Sequence, residues 1–146
     1  MRIVSGGQTG VDRAALDAAI ECGVEHGGWC PAGRLAEDGI IPQRYALRET
    51  PSSDYSQRTS WNVRDSDATL ILTKGRLRGG SAYTRQCAIA MARPCLVVDI
   101  DLPEARGEIE KWLEQAPLVL NIAGPRESNN PGIYMAAKLM LLSVLS

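Results

Sequence analysis

Apolar residues along this chain alternate between short unbroken runs and spaced stripes. Five runs read as strands: Arg2–Ser5, His26–Cys30, Ala68–Thr73, Cys95–Asp99 and Leu118–Ile122. Continuous β-branched and leucine-rich runs between breakers fit strands buried on both faces, as in a parallel sheet. The stripes read as helices. Val11, Ala14, Ala15, Ala18, Ala19 and Cys22 fall on one face, with Thr9 as the N-cap and Asp12 as its acidic partner. Further helices are predicted over Gln57–Asp67 and Ser81–Ala92, from Asp101 to Ala116, and from Asn130-Pro131 onward, where proline suits the first turn.

Strand and helix repeated five times predict an α/β, three-layer Rossmann-like sandwich around a five-stranded parallel sheet, formed by residues 1–146 as one domain. Right-handed crossovers leave few topologies, and the simplest order is 2-1-3-4-5. Ligands bind such sheets outside the carboxyl ends of the strands, where the connections diverge. That places a site between strands one and three, on the loops Gly6–Gly10 and Lys74–Ser81.

Both loops are glycine-rich turns opening a helix, and helix N-termini attract anions through unpaired N–H groups and the helix dipole. Gly6, Gly7, Thr9 and Gly10 are read as one cradle, with Gln8 as a polar contact; Gly79, Gly80 and Ser81 are read as the other. Lys74, Arg76, Arg78 and Arg34 are the candidate cations. The ligand this implies is a small phosphate-bearing molecule. The alternative is a pair of tight βα turns with solvated arginines. Arg126 either joins the site or pairs with Glu127. The stretch from Pro31 to Gln57 lacks periodicity and is a candidate lid.

Composition narrows the partners. A net charge of -1 gives no basic field for nucleic acid or a membrane surface, and the apolar C-terminal helix is too short to span a bilayer. No leader precedes the first strand, so a cytoplasmic protein is expected. The four cysteines, Cys22, Cys30, Cys87 and Cys95, form no close pair and read as reduced thiols, Cys30 lying nearest the ligand edge. His26, the lone histidine, reads as a packing residue. On the last helix Met135, Leu139, Leu142 and Leu145 widen the apolar surface beyond the core stripe of Ile133, Ala136, Ala137, Met140, Leu141 and Val144, which points to a homo-oligomer.

Four linked segments, Gly6–Asp17, Trp29–Gly39, Trp61–Asp67 and Asn121–Ser128, resemble the molybdenum cofactor carrier-like family of the SLOG, or lysine-decarboxylase-like, Rossmann superfamily. The resemblance implies a ligand-binding protein that is oligomeric in its relatives and holds molybdenum cofactor, a phosphate-bearing pterin with a dithiolene-bound oxo-molybdenum. The same superfamily contains nucleoside-monophosphate phosphoribohydrolases, whose signature resembles Gly-Gly-x-Gly-Thr-x-x-Glu. Here Ala82, Tyr83 and Gln86 stand at its third glycine, threonine and glutamate positions. Glutamine cannot serve as a carboxylate base, so holding a ligand is favoured over cleaving it. A hydrolase using Asp38, Asp65 or Asp67 and a nucleotide sensor without turnover remain the alternatives. No catalytic role is assigned.

Overall fold

A computed structural model describes residues Met1–Ser146 throughout. Five parallel strands form the sheet: β1 (Arg2–Val4), β2 (Glu25–Gly27), β7 (Ala68–Thr73), β8 (Cys95–Asp99) and β9 (Val119–Ala123). Helices α1 (Val11–Glu21), α4 (Ala105–Trp112) and α5 (Ile133–Leu145) cover one face. Helices α2 (Tyr55–Arg64) and α3 (Gly79–Ala90) cover the other, with Val63, Cys87 and Ala88 at their contact. The apolar stripe of α1 is buried from Val11 to Ala19 as its spacing predicts. Most helix ends shift by a few residues. Asp54 caps α2, accepting the Ser56 amide at 3.0 Å.

The sheet order is β2-β1-β9-β7-β8. The fifth run of the chain therefore lies between the first and third, where the simplest topology places it at the edge. Ile3 pairs with Leu120 on one side, and Leu70 with Ile122 on the other. The difference follows from burial: Leu120, Asn121, Ile122 and Ala123 are all buried, whereas Cys95, Leu96 and Val97 are only half-buried. A run of apolar residues looks the same in both positions. Asn121 is tolerated in the middle of the sheet because its amide donates to Thr69 Oγ1 on β7, at 3.3 Å. Counting strands from β9 instead of β1 turns the order into 3-2-1-4-5, the doubly wound arrangement. The divergence of connections thus lies between β9 and β7.

The expected strand His26–Cys30 is broken in two. Gly28, at φ +125°, sits where a Cβ would lie 2.4 Å from the Ser5 carbonyl oxygen. Beyond it the chain leaves the main sheet and forms β3 (Trp29–Cys30), paired with β6 (Arg48–Glu49). Asn62 on α2 substitutes for a strand neighbour there: its Oδ1 accepts the Trp29 amide at 2.8 Å and its Nδ2 donates to the Trp29 carbonyl at 3.0 Å. His26 Nε2 accepts the Ala46 amide at 3.1 Å, in keeping with a packing role.

The segment between β3 and α2 is folded rather than a loose lid. It contains a hairpin of β4 (Leu35–Ala36) and β5 (Gly39–Ile40), and a small core of Leu16, Cys30, Ile41 and Tyr45. Arg34, read as a candidate ligand contact, is its staple. Its guanidinium is buried and donates to the carbonyls of Ile41, Pro42, Tyr45 and Leu47. Cys30 is likewise buried in this core, where burial pushes its thiol pKa up.

Glu37, at the hairpin tip, ties this segment to both neighbouring loops. Its carboxylate accepts from Thr9 Oγ1, from the Ser128 hydroxyl at 2.5 Å and from the Ser128 amide at 3.2 Å. Arg126 Nη1 stands 4.0 Å away. Burial alone would raise this carboxyl's pKa, but the hydrogen bonds from Ser128 and Thr9 and the Arg126 charge outweigh it, leaving the pKa below its ordinary value. A carboxyl with a lowered folded-state pKa stabilises above its unfolded pKa and loses that contribution as pH falls through the folded value.

Replacing Arg34 by Met leaves four carbonyls without their donor and is expected to lower unfolding free energy by about 3 kcal/mol in urea titrations. Replacing Glu37 by Gln is expected to cost about 1–2 kcal/mol at pH 7. That difference should shrink once the pH falls below about 4, as followed by thermal unfolding at several pH values.

Candidate functional site

A polar cavity of about 330 Å³ opens at the carboxyl ends of β7 and β9. Its wall comes from four parts of the chain: Gln8 and Asp12 beside β1, Arg58 on α2, the segment from Arg76 to Thr84, and the segment from Ala123 to Asn130. Apart from Ala123 and Pro125, the wall is glycine and polar or charged side chains. Four arginines, Arg58, Arg76, Arg78 and Arg126, face one carboxylate, Asp12. The chemistry offered is that of an anion site.

Its strongest element is the start of α3. Gly79, Gly80 and Ser81 form the first turn, which contains no acidic residue, and Arg78 at the N-cap makes no side-chain capping bond. The leading amides of a helix lack intrahelical partners, and here they open onto the cavity. Gly79 takes φ +53°, and a Cβ at Gly79 or Gly80 would meet open space, so a ligand can approach the backbone. Thr84 Oγ1 donates to the Gly80 carbonyl at 2.9 Å and fixes the turn. Asp99 on β8 accepts the Gly75 amide at 3.1 Å and so holds the preceding loop.

The first glycine loop has a different task. Of its residues only Gln8 reaches the cavity. Its amides are already engaged: Gly7 N–H donates to Ser5 Oγ, Gln8 N–H to Asp12 Oδ2, Thr9 N–H to Gln8 Oε1, and Val11 N–H to the Pro125 carbonyl at 3.2 Å. The N-terminus of α1 is therefore closed by the loop after β9. Thr9 is not its cap; Gly10 occupies that position, and Thr9 Oγ1 serves Glu37 and the Glu127 amide instead. The glycines permit close packing. A Cβ at Gly10 would lie 2.2 Å from the Pro125 oxygen, and one at Gly6 would lie 2.7 Å from Arg58 Nε. Thr9 and Gly10 line a separate hollow with Arg13, Arg44, Tyr45 and Tyr134. There Asp17 accepts both tyrosine hydroxyls.

The structure thus brings Gln8, Arg76, Arg78, Gly79, Gly80 and Ser81 together and leaves Gly6, Gly7, Thr9, Gly10, Arg34 and Lys74 outside the wall. It adds Arg58 and Arg126, whose guanidinium carbons lie 5.6 and 5.5 Å from the centre of the Tyr55 ring. Arg126 does not pair with Glu127, whose carboxylate accepts the Gly132 and Tyr134 amides at the start of α5. Arg58 was hidden because nothing in the sequence marks a helical arginine as pointing inward. Asp12 is buried, and burial raises its carboxyl pKa despite the nearby Arg58 charge. Asp38, Asp65 and Asp67 lie elsewhere: Asp38 pairs with Arg13, Asp65 with Arg64, and Asp67 accepts the Val119 amide. Gln86 is exposed and does not line the cavity. No cluster of three His, Cys, Asp or Glu side chains could hold a metal ion. No helix is long and apolar enough to cross a membrane.

No curated protein matches the chain. Among solved structures, a putative molybdenum carrier protein from Syntrophus aciditrophicus is similar, with 51% identity and a TM-score of 0.94 over 99% of this chain and 93% of that one. A family model described as circularly permutated YpsA SLOG matches residues 3–145. The permutation in that description agrees with a sheet whose doubly wound order begins at β9. The chain belongs to the circularly permuted YpsA family of SLOG proteins.

Proposed function

We propose that this protein is a molybdenum cofactor carrier that holds its cargo in the cavity between β7 and β9. The observation that carries the reading is the uncapped start of α3, open to a cavity walled by four arginines. Such a wall suits a ligand with negatively charged oxygens. The molybdenum carrier name of the Syntrophus aciditrophicus relative supports the identity of the cargo. In this reading Gly79, Gly80 and Ser81 take the terminal phosphate through backbone amides, and Arg76 and Arg78 add charge at the rim. The wall has no aromatic ring for a heterocycle to stack on, so recognition there is by charge and hydrogen bonds. Molybdenum is cargo here, held through the cofactor's own ligands.

We further propose a cytoplasmic location, supported by four unpaired cysteines, and self-association through α1 and α5. Met135 and Leu139 are 54% and 60% exposed on α5, and Ile20 on α1 is 43% exposed. Apolar side chains at that density on adjacent helices suit a subunit contact.

Purified protein incubated with molybdenum cofactor is expected to retain molybdenum through gel filtration and to slow the cofactor's decay; retention no greater than by an unrelated protein rejects the carrier reading. Arg76→Met combined with Arg78→Met should weaken retention by roughly tenfold or more, with the melting temperature unchanged. Light scattering should give a multiple of the 15.8 kDa chain mass. Leu139→Glu should shift that species toward monomer.

A further inference from the structure

Two residues that line the cavity carry buried side-chain hydrogen-bond donors without a partner in the protein. Gln8 is 5% exposed, and its Oε1 accepts the Thr9 amide at 3.0 Å and the Glu37 amide at 2.8 Å. Those two bonds fix which end of the side-chain amide is oxygen, and its Nε2 is left buried without a partner. The Arg58 side chain is 13% exposed. Its Nη1 donates to Thr59 Oγ1 at 2.7 Å, and its Nε is also buried and unpartnered. Its Nη2 lies 3.8 Å from Asp12 Oδ2, beyond hydrogen-bonding distance. Asp12 Oδ2 accepts the Gln8 backbone amide at 3.2 Å and makes no hydrogen bond to Arg58. Unmet buried donors are uncommon in native proteins, and those on a cavity wall point to a missing acceptor.

We propose that Gln8 and Arg58 form a second oxyanion subsite at the inner end of the cavity, separate from the start of α3, and that the ligand carries anionic oxygens at both ends. The proposal deepens the carrier reading and rests on it for the outer site alone. With a phosphate on Gly79–Ser81, the oxo groups of the metal would be the acceptors for the inner donors. A nucleoside monophosphate has one anionic end and would leave them unmet. Recognition at this inner end is by hydrogen bonds to oxygen. Neither Gln8 nor Arg58 supplies a metal ligand.

Calorimetric titration of the intact protein with inorganic molybdate and with inorganic phosphate tests this. Two anion equivalents per chain are expected. Gln8→Glu keeps an oxygen for the Thr9 and Glu37 amides but turns the donor into an acceptor of like charge. It should weaken one equivalent roughly tenfold or more without lowering the melting temperature. Arg58→Lys keeps the charge but loses the fork, should weaken the same equivalent, and decides the matter if Gln8→Glu does not fold. The Arg76→Met/Arg78→Met double variant should weaken the other equivalent. A single equivalent, or two that both survive Gln8→Glu and Arg58→Lys within threefold, overturns the inner subsite while leaving the outer one standing if the double variant weakens it. No bound anion at all overturns the inner subsite and the carrier reading together.

Discussion

The close approach of the loop after β9 to the start of α1 sets the geometry of the site. The Pro125 carbonyl accepts the Val11 amide, and a Cβ at Gly10 would lie 2.2 Å from that oxygen. On the same loop, a Cβ at Gly124 would lie 2.3 Å from the Leu72 carbonyl and 2.5 Å from Val11. Two glycines thus let a C-terminal strand settle between β1 and β7 with its loop wedged against both. Closing one helix start in this way leaves the other, α3, open to the cavity. Strand order and the open cavity are consequences of the same packing event.

The elements were readable from the sequence because they rest on local periodicity. The α1 stripe and the apolar runs of β7, β8 and β9 needed no tertiary information. The sheet order was not readable, because a run such as Leu118–Ile122 suits an inner or an outer strand equally well. Only the burial of Asn121 and its bond to Thr69 separate the two. The site divided along the same line. Gly79, Gly80 and Ser81 follow from a turn that opens a helix, which is local chemistry. The fate of Gly6–Gly10 depended on what packs against it, and Pro125 lies more than a hundred residues away in the chain. Arg34 shows the same limit: a lone arginine beside a glycine reads as a charge for a ligand, yet four carbonyls of its own loop surround it.

The electrostatics of the cavity follow from which charges the protein satisfies internally. Arg34 and Arg13 are held by carbonyls and by Asp38, so they contribute little field to the site. Arg58 has a single hydrogen bond to Thr59 and a carboxylate held at 3.8 Å. Leaving a guanidinium so poorly satisfied is costly, and an anion in the proposed site would relieve that cost. Gly6 makes the arrangement possible, since a Cβ there would collide with the Arg58 side chain. A glycine in the first loop therefore serves the site indirectly, by making room for a cation from α2.

A holder and a catalyst make different demands on such a cavity. Catalysis on a phosphate-bearing ligand needs a group that moves a proton or attacks, placed within reach of the reacting atom. Asp12 is the carboxylate in this wall. It already accepts the Gln8 amide, and its burial favours the protonated form. Its geometry organises the first loop and faces Arg58. Holding needs donors aimed at the ligand's oxygens and a means of letting go. In the proposed site, hydrogen bonds from Gly79–Ser81, Gln8 and the arginines would meet both needs, because none requires a coordinate bond to be broken. The wall is also assembled from segments near residues 8, 58, 80 and 125, so a ligand in the proposed site would cross-link the two ends of the chain through the middle of the sheet. Affinity for such a ligand and stability of the doubly wound core would then be linked, since whatever binds the folded state alone stabilises it.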